Sequence, residues 1–343
     1  MPLNHTVYFL ALGIVAAFNV LLYHNGASAY LLGWFSFFIA IYGVTSNDSI
    51  QILGTLVESK KHLPTVVKWG ITGGVGTIVL WLGWFLYDGQ IHYDRLSSFH
   101  NTGSRNVIHV LVPYILVILT RLKAPVSTTF LILGAFGGGD NISDIFMKSF
   151  TGYAISFVVA LVVWFALFRL NQSDYKNADE KRDEGVSWDI YKWLSGLFLW
   201  GAWLVQDIAN FSVYLPRVLA AGEMVLVTAA LLAVTGILFY TNGGPIQSLI
   251  SEKRDIQNVK AATIVDLVYA VILIFFQGMN NIPMSTTWVF LGLLAGREII
   301  LNILTYEDKP YLDTLTRVGR DVLYASLGVV ISIAVVIIAS GNG

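Results

Sequence analysis

Pro125-Val126-Ser127-Thr128-Thr129 returns 158 residues later as Pro283-Met284-Ser285-Thr286-Thr287. Both pentapeptides stand in apolar sequence, and each has a glycine five residues beyond its last Thr (Gly134, Gly292). Asn47-Asp48 is matched in the same way, at a displacement of 159, by Gln206-Asp207. The chain therefore reads as a duplication. Each half carries one carboxylate and one Pro-x-Ser-Thr-Thr step at membrane depth, where polar groups are costly and mark pathways or binding sites.

Composition agrees with a membrane setting. The 343 residues are 55% hydrophobic and 13% charged, with a mean hydropathy of +0.66, values that only long apolar runs produce. Candidate spans cover residues 6–23, 30–45, 66–87, 107–120, 153–168, 191–205, 223–240, 262–276, 287–294 and 322–339. Several fall short of the ~20 residues a helix needs to cross a hydrocarbon core. The first lacks a basic leading region and a small-residue cleavage site, so it is expected to be retained as a helix. The net charge of −1 gives no reason to expect nucleic acid as a partner. Without cysteine there is neither disulfide nor thiolate chemistry. The six histidines form no i, i+4 pair, which argues against a histidine metal site and places them at interfaces or in loops.

The charged stretch 171–192 separates the halves and reads as a solvated linker. The expected division is an extra N-terminal helix in residues 1–27, a first repeat in 28–170, a cytoplasmic linker in 171–188 and a second repeat in 189–343. In each repeat a broken helix carries the Asp, and a full helix and a polar loop follow. An apolar segment then enters the membrane and stops at the Pro-x-Ser-Thr-Thr step. A shorter segment leaves again, and a final helix closes the unit. Proline cannot continue a helix interior but suits a first turn. The sequences before Pro125 and Pro283 are therefore expected to be tips of re-entrant hairpins, with Ser127 and Ser285 opening the returning half-helices. Three crossings per half make the halves inverted. The expected fold is an all-α polytopic membrane protein of two inverted repeats, each with a broken helix and a re-entrant helical hairpin. On that topology fifteen Lys and Arg lie on one side. Only Arg95, Arg105, Lys148 and Arg217 lie on the other, with Arg121 and Lys123 at a hairpin tip. The bias puts the N-terminus, linker and 241–260 loop in the cytoplasm and the C-terminus outside a cytoplasmic membrane.

A half-helix beginning inside the membrane offers free N–H groups and a positive dipole end, an anion site that needs no basic residue. Ser127, Thr128, Thr129, Ser285, Thr286 and Thr287 add hydroxyl donors, so two inverted ends could hold one tetrahedral oxyanion. N-capping is the plainer role for a single Ser-Thr-Thr; two copies in matching places favour the site. Asp48 and Asp207 are flanked by Asn47, Gln51, Gln206 and Asn210, whose amide oxygens suit a Na⁺-like ion, and a bound cation relieves the cost of a carboxylate there. Asp266 and Glu223 sit near span starts and are expected to face water. Gly70 and Gly74 have the spacing of a small-xxx-small helix interface. Trp188, Trp193, Tyr214 and Tyr311 read as interfacial anchors.

The run Asn47-Asp48-Ser49-Ile50-Gln51-Ile52-Leu53-Gly54-Thr55-Leu56-Val57-Glu58-Ser59-Lys60 resembles the signature of the inorganic phosphate transporter (PiT) family, roughly G-A-N-D-V-A-N-A-x-G-T-x-V-x-S-K. Gln206-Asp207-Ile208-Ala209-Asn210 is similar to its second copy, and the two Pro-x-Ser-Thr-Thr steps to the family's P-[VI]-S-T-T-H. The resemblance spans nearly the whole chain. It implies cation-coupled uptake of inorganic phosphate by alternating access, usually as a homodimer, with no enzymatic step and no cofactor beyond Na⁺ as coupling ion. It puts cation roles on Asn47, Asp48, Gln206, Asp207 and Asn210, and anion contacts on the six Ser and Thr of the two steps. Thr45-Ser46, Ser49-Ile50-Gln51, Gln206, Phe130 and Trp288 depart from the pattern and leave sulfate, which some members carry, and H⁺ coupling open. A membrane lipid-pyrophosphate phosphatase would want clustered Glu and an Arg beside the hairpin serines. A passive anion channel would not need the paired Asp residues.

Overall fold

The structure is a computed structural model that describes residues 5–60, 63–99, 106–122, 126–170, 185–242, 259–279, 281, 283–305 and 311–341. Most of the linker, the loop 243–258, Pro125 and the chain ends lie outside the described residues. So do the topology expectations that rest on Lys181, Lys253, Arg254 and Gly343.

Apolar sequence with few helix breakers gives helices throughout, and the described residues contain no strand. They are α1 (His5–His24), α2 (Ala29–Ile52), α3 (Gly54–Ser59), α4 (Thr65–Leu86), α5 (Val107–Arg121), α6 (Gly134–Leu170), α7 (Gly185–Ser212), α8 (Ala221–Tyr240), α9 (Val259–Met279), α10 (Thr286–Thr305) and α11 (Tyr311–Gly341). A π-helical turn, Thr129–Leu133, leads into α6. Side chains start several helices by satisfying amides that have no partner within the helix. Ser28 Oγ accepts from Leu31 N at 3.3 Å, and Asn106 Oδ1 accepts from His109 N at 3.0 Å. Glu223 Oε2 accepts from Ala220 N at 2.7 Å, so this carboxylate caps α8 at the surface.

Eight helices are long and apolar enough to cross a membrane; α5, with fifteen residues, is not. The chain is apolar outside and polar inside. Val66, Leu86 and Leu170 are 69–78% exposed, whereas Asp48, Gln51, Gln206, Asp207, Asn210 and Asp266 are buried. Water would penalise that arrangement, and a bilayer supports it. The chain is a multi-pass membrane protein on this evidence.

α2 packs on α5, α7 and α8, and α7 on α2, α4 and α9; α4 lies on α8 and α6 on α10. α1 rests on α5, where Asn19 Nδ2 donates to Tyr114 Oη at 3.3 Å. The closing helix of each half packs on the returning segment of the other. Gly292 and Gly296 bring α10 so close to α6 that a Cβ at either would overlap the carbonyl of Tyr153 or Phe157. Conversely, α11 covers the first half's returning segment. A Cβ at Gly134 would stand 3.1 Å from Val336 Cγ2, one at Gly328 would stand 3.1 Å from Val126 Cγ1, and Asn106 Nδ2 donates to Ala339 O at 3.1 Å. That Cβ would also lie 3.3 Å from Ile142 Cδ1, eight residues along. A straight helix separates residues 134 and 142 by ~12 Å, so α6 bends between Gly134 and Ile142.

Several expectations need correction. The helix of Asp48 breaks only at Leu53, and that of Asp207 runs unbroken to Ser212, because neither Gly nor Pro stands between Ala202 and Ser212. The segment expected at 287–294 is a full helix of twenty residues. A Cβ at Gly70 or Gly74 would meet nothing within 4 Å among the described residues; the close approaches of α4 to α8 are at Gly73 and Gly76, against Leu232 and Leu231. Tyr214 is no interfacial anchor: it is buried with its ring edge on Phe136. His109 is not in a loop: it lies in the first turn of α5 and stacks on Phe136 with ring centroids 4.1 Å apart.

Candidate functional site

Asp48 and Gln51 stand one turn apart near the end of α2, and Asp207 and Asn210 occupy the same relation near the end of α7. A three-residue spacing puts both members of each pair on one helix face. Gln51 Nε2 donates to Asp48 Oδ1 at 3.1 Å, and Asn210 Nδ2 to Asp207 Oδ1 at 2.6 Å. Each amide then crosses to the opposite half. Gln51 Nε2 reaches Thr287 Oγ1 at 3.1 Å, and Asn210 Nδ2 reaches Thr129 Oγ1 at 3.2 Å. Thr129 and Thr287 are the last residues of the two repeated steps, so the contact is reciprocal.

The same groups join the carboxylates to each other. Thr128 Oγ1 donates to Asp48 Oδ2 at 3.1 Å and accepts from Asn210 Nδ2 at 3.0 Å. Thr129 Oγ1 lies 3.3 Å from Asp207 Oδ1 and 3.2 Å from Met284 O. All of these side chains are buried, so the two carboxylates share one enclosed polar cluster. Neither is an interfacial cap.

Ser127 and Ser285 open their helical segments as expected, and each also caps. Ser127 Oγ accepts from Phe130 N at 3.2 Å, and Ser285 Oγ from Trp288 N at 3.4 Å. The backbone N–H of Ser285 is engaged too, donating to Ser149 Oγ at 2.8 Å. Thr286 is buried, and its carbonyl accepts from Tyr269 Oη at 2.9 Å. Asn47 and Gln206 point their amide nitrogens away from the cluster and brace their helices. Asn47 Nδ2 donates to Thr120 Oγ1 on α5 at 3.0 Å, and Gln206 Nε2 to Leu273 O on α9 at 2.6 Å.

Three features of the site have no counterpart in the repeated motifs. Tyr269 Oη donates to Gln51 Oε1 at 3.2 Å; 158 residues earlier stands Leu111, which has no hydroxyl to offer. On the second side Asp207 Oδ2, Asn210 Oδ1 and Gln206 Oε1 are buried oxygens without a hydrogen-bond partner among the described residues. Asp266 does not face water, and Lys192 is not part of a solvated linker. The two form a buried ion pair, with Lys192 Nζ also donating to Thr55 Oγ1 at 2.8 Å and Thr55 Oγ1 to Asp266 Oδ1 at 3.0 Å. An acidic residue inside an otherwise apolar helix was the available signal for Asp266. Lys192 was hidden by the charge run before it.

Neither family models, curated proteins nor solved structures yield a match to this chain. The described residues contain no group of three or more His, Cys, Asp or Glu that could hold a metal ion.

Proposed function

We propose that the chain is a secondary active transporter that carries inorganic phosphate with Na⁺ across a cytoplasmic membrane by alternating access, without a covalent step. The observation that carries this reading is the reciprocal contact of Gln51 with Thr287 and of Asn210 with Thr129. Each half thereby ties its carboxylate to the hydroxyls of the other. Exchanging α2 with α7, α4 with α8, α5 with α9 and α6 with α10 preserves the principal packing partnerships, as two repeats related by inversion would require. Hydroxyls of both steps meet at buried carboxylates, so an oxyanion and a cation would be bound side by side. The oxygens without partners on Asp207, Asn210 and Gln206 are hard ligands for Na⁺, and the Thr hydroxyls are donors for the anion. The resemblance to inorganic phosphate transporters supports phosphate as substrate and a homodimer as the assembly. The substitutions within its signature keep sulfate, and H⁺ as driving ion, as the alternative.

Uptake of radiolabelled phosphate and sulfate into proteoliposomes, with and without an inward Na⁺ gradient, tests the reading. Saturable phosphate uptake that follows the Na⁺ gradient is expected. Uptake driven by a proton gradient alone, or competition won by sulfate, would replace the ion or the substrate. Saturation-free flux would replace the transporter by a channel.

A further inference from the structure

The connection after α4 is more than a link to α5. Within residues 87–99, Ile91, His92, Arg95, Leu96 and Phe99 are buried. Asp88, Tyr93 and Asp94 have φ of 50°, 51° and 58°, a left-handed conformation that costs non-glycine residues on the order of 1 kcal/mol each and persists only where surroundings enforce it. The surroundings do so from three directions. Gly89 O accepts from Leu219 N at 2.9 Å, Tyr93 Oη donates to Val79 O at 2.5 Å, and Asn281 beside the second step donates through Nδ2 to Asp94 Oδ2 at 2.6 Å. Observed strain of this kind is a pointer to function.

What the loop presents is Arg95, which is 1% exposed. Its Nε donates to the carbonyl of Gln206 at 3.4 Å, one residue before Asp207. Its Nη1 and Nη2 are buried and have no hydrogen-bond partner among the described residues. They make no bond to Asp207, whose Oδ1 is already occupied by Asn210 and Thr129. A guanidinium held by Nε with its remaining N–H donors unfilled in a dry interior is poised for a planar, two-point acceptor, and oxyanions are such acceptors.

We propose that Arg95 is an oxyanion-binding residue of the transport site, its Nη1 and Nη2 gripping a tetrahedral dianion whose other oxygens meet the hydroxyls of the two Ser-Thr-Thr steps. This rests on the oxyanion-transport reading and deepens it. The site is then not neutral: one fixed positive charge faces the anion from the non-cytoplasmic loop, and Asp207 lies beside both. The sequence alone hid this role, because Arg95 lies in a polar loop far from either repeated motif.

The test is equilibrium binding of radiolabelled phosphate and sulfate to the purified full chain at saturating Na⁺, with Na⁺ binding measured separately in the absence of either anion. Arg95→Gln is expected to weaken binding of the anion the wild type prefers by about tenfold or more. Arg95→Lys, which keeps the charge and loses the fork, should fall in between; Na⁺ binding without anion should stay at the wild-type level in Arg95→Lys and be no weaker than wild type in Arg95→Gln, which removes a positive charge beside Asp207. That Na⁺ binding, with elution as a single species on size exclusion, reports an intact fold; should Arg95→Gln fail it, Arg95→Lys alone decides by the same anion measurement. Wild-type anion affinity in a folded variant would overturn the proposal. So would altered Na⁺ affinity with unchanged anion affinity, which would make Arg95 a fixed counter-ion to Asp207. A wild-type protein that binds neither anion would overturn the transport reading itself, and this proposal with it.

Discussion

The two carboxylate sides of the site share a plan and differ in how completely it is filled. On the first, Asp48 receives Gln51 and Thr128, and the far oxygen of Gln51 receives Tyr269. On the second, Asp207 receives Asn210 and Thr129, while Asp207 Oδ2 and Asn210 Oδ1 have no hydrogen-bond donor among the described residues. A tyrosine in one half and a leucine at the matching place in the other account for much of the contrast. The lesson is that two positions matched in sequence can be filled differently: protein groups close the first, and the second keeps buried oxygens without a donor among the described residues.

The largest expected effect breaks the comparison outright. Asp48→Asn and Asp207→Asn keep size and remove charge, and each should stop transport or abolish its Na⁺ dependence. Na⁺ affinity measured without anion should fall further in Asp207→Asn. Unchanged Na⁺ and pH dependence in both variants would remove the carboxylates from the mechanism.

A second contrast is the buried Lys192–Asp266 pair, which only the second half possesses; Ile108 stands 158 residues before Asp266. Lys192→Met leaves a buried carboxylate facing Thr55 alone, and should cost about 3–5 kcal/mol of stability. The double change Lys192→Met with Asp266→Leu should recover most of it. Thermal unfolding in detergent would show both, and an additive double variant would count against a direct pair.

Sharper and smaller is the exchange of the crossed hydroxyls. Thr129→Val and Thr287→Val each remove a hydroxyl at constant shape. If one anion is shared, each should weaken it similarly, by about tenfold to a hundredfold, the worth of a hydrogen bond to a charged group. Titration calorimetry that found two independent anion sites, or wild-type affinity in both variants, would separate the halves again.

The smallest effect belongs to the loop that follows α4. Burial, with the nearby Arg217 charge, pushes the His92 imidazole down from 6.5 to about 4. The folded protein therefore binds fewer protons than the unfolded chain between those values. Stability from this group is fully present above pH 6.5 and is lost as pH falls toward 4, at no more than about 1.4 kcal/mol per unit. His92→Phe should flatten that limb of a stability profile, and an unchanged slope would assign the acid sensitivity to other groups.

The helices and the meeting of Asp48, Gln51, Asp207 and Asn210 with the Thr residues of the two steps were legible because their signals are local and the motifs occur twice in the sequence. Arg95, Tyr269 and Lys192 were not, for a shared reason. Comparing halves finds only what duplication has kept in both, and these three act by contacts between distant segments that one half alone supplies. Periodicity was silent as well. It shows which helix face is apolar, and in a bilayer an apolar face is as much at home outside as in, so Gly70 and Gly74 looked like packing positions when they face outward.

The swap of closing helices has a consequence for the order in which the protein is made. α11, which leaves the ribosome after all the other described helices, is the one that covers Val126 and Gly134 of the first half. Until it arrives, the first hairpin has no lid of its own chain, although all of its residues have long been synthesised. The first half therefore cannot mature as a separate unit ahead of the second, and a truncation that removes only α11 should strip the site from the half it does not belong to.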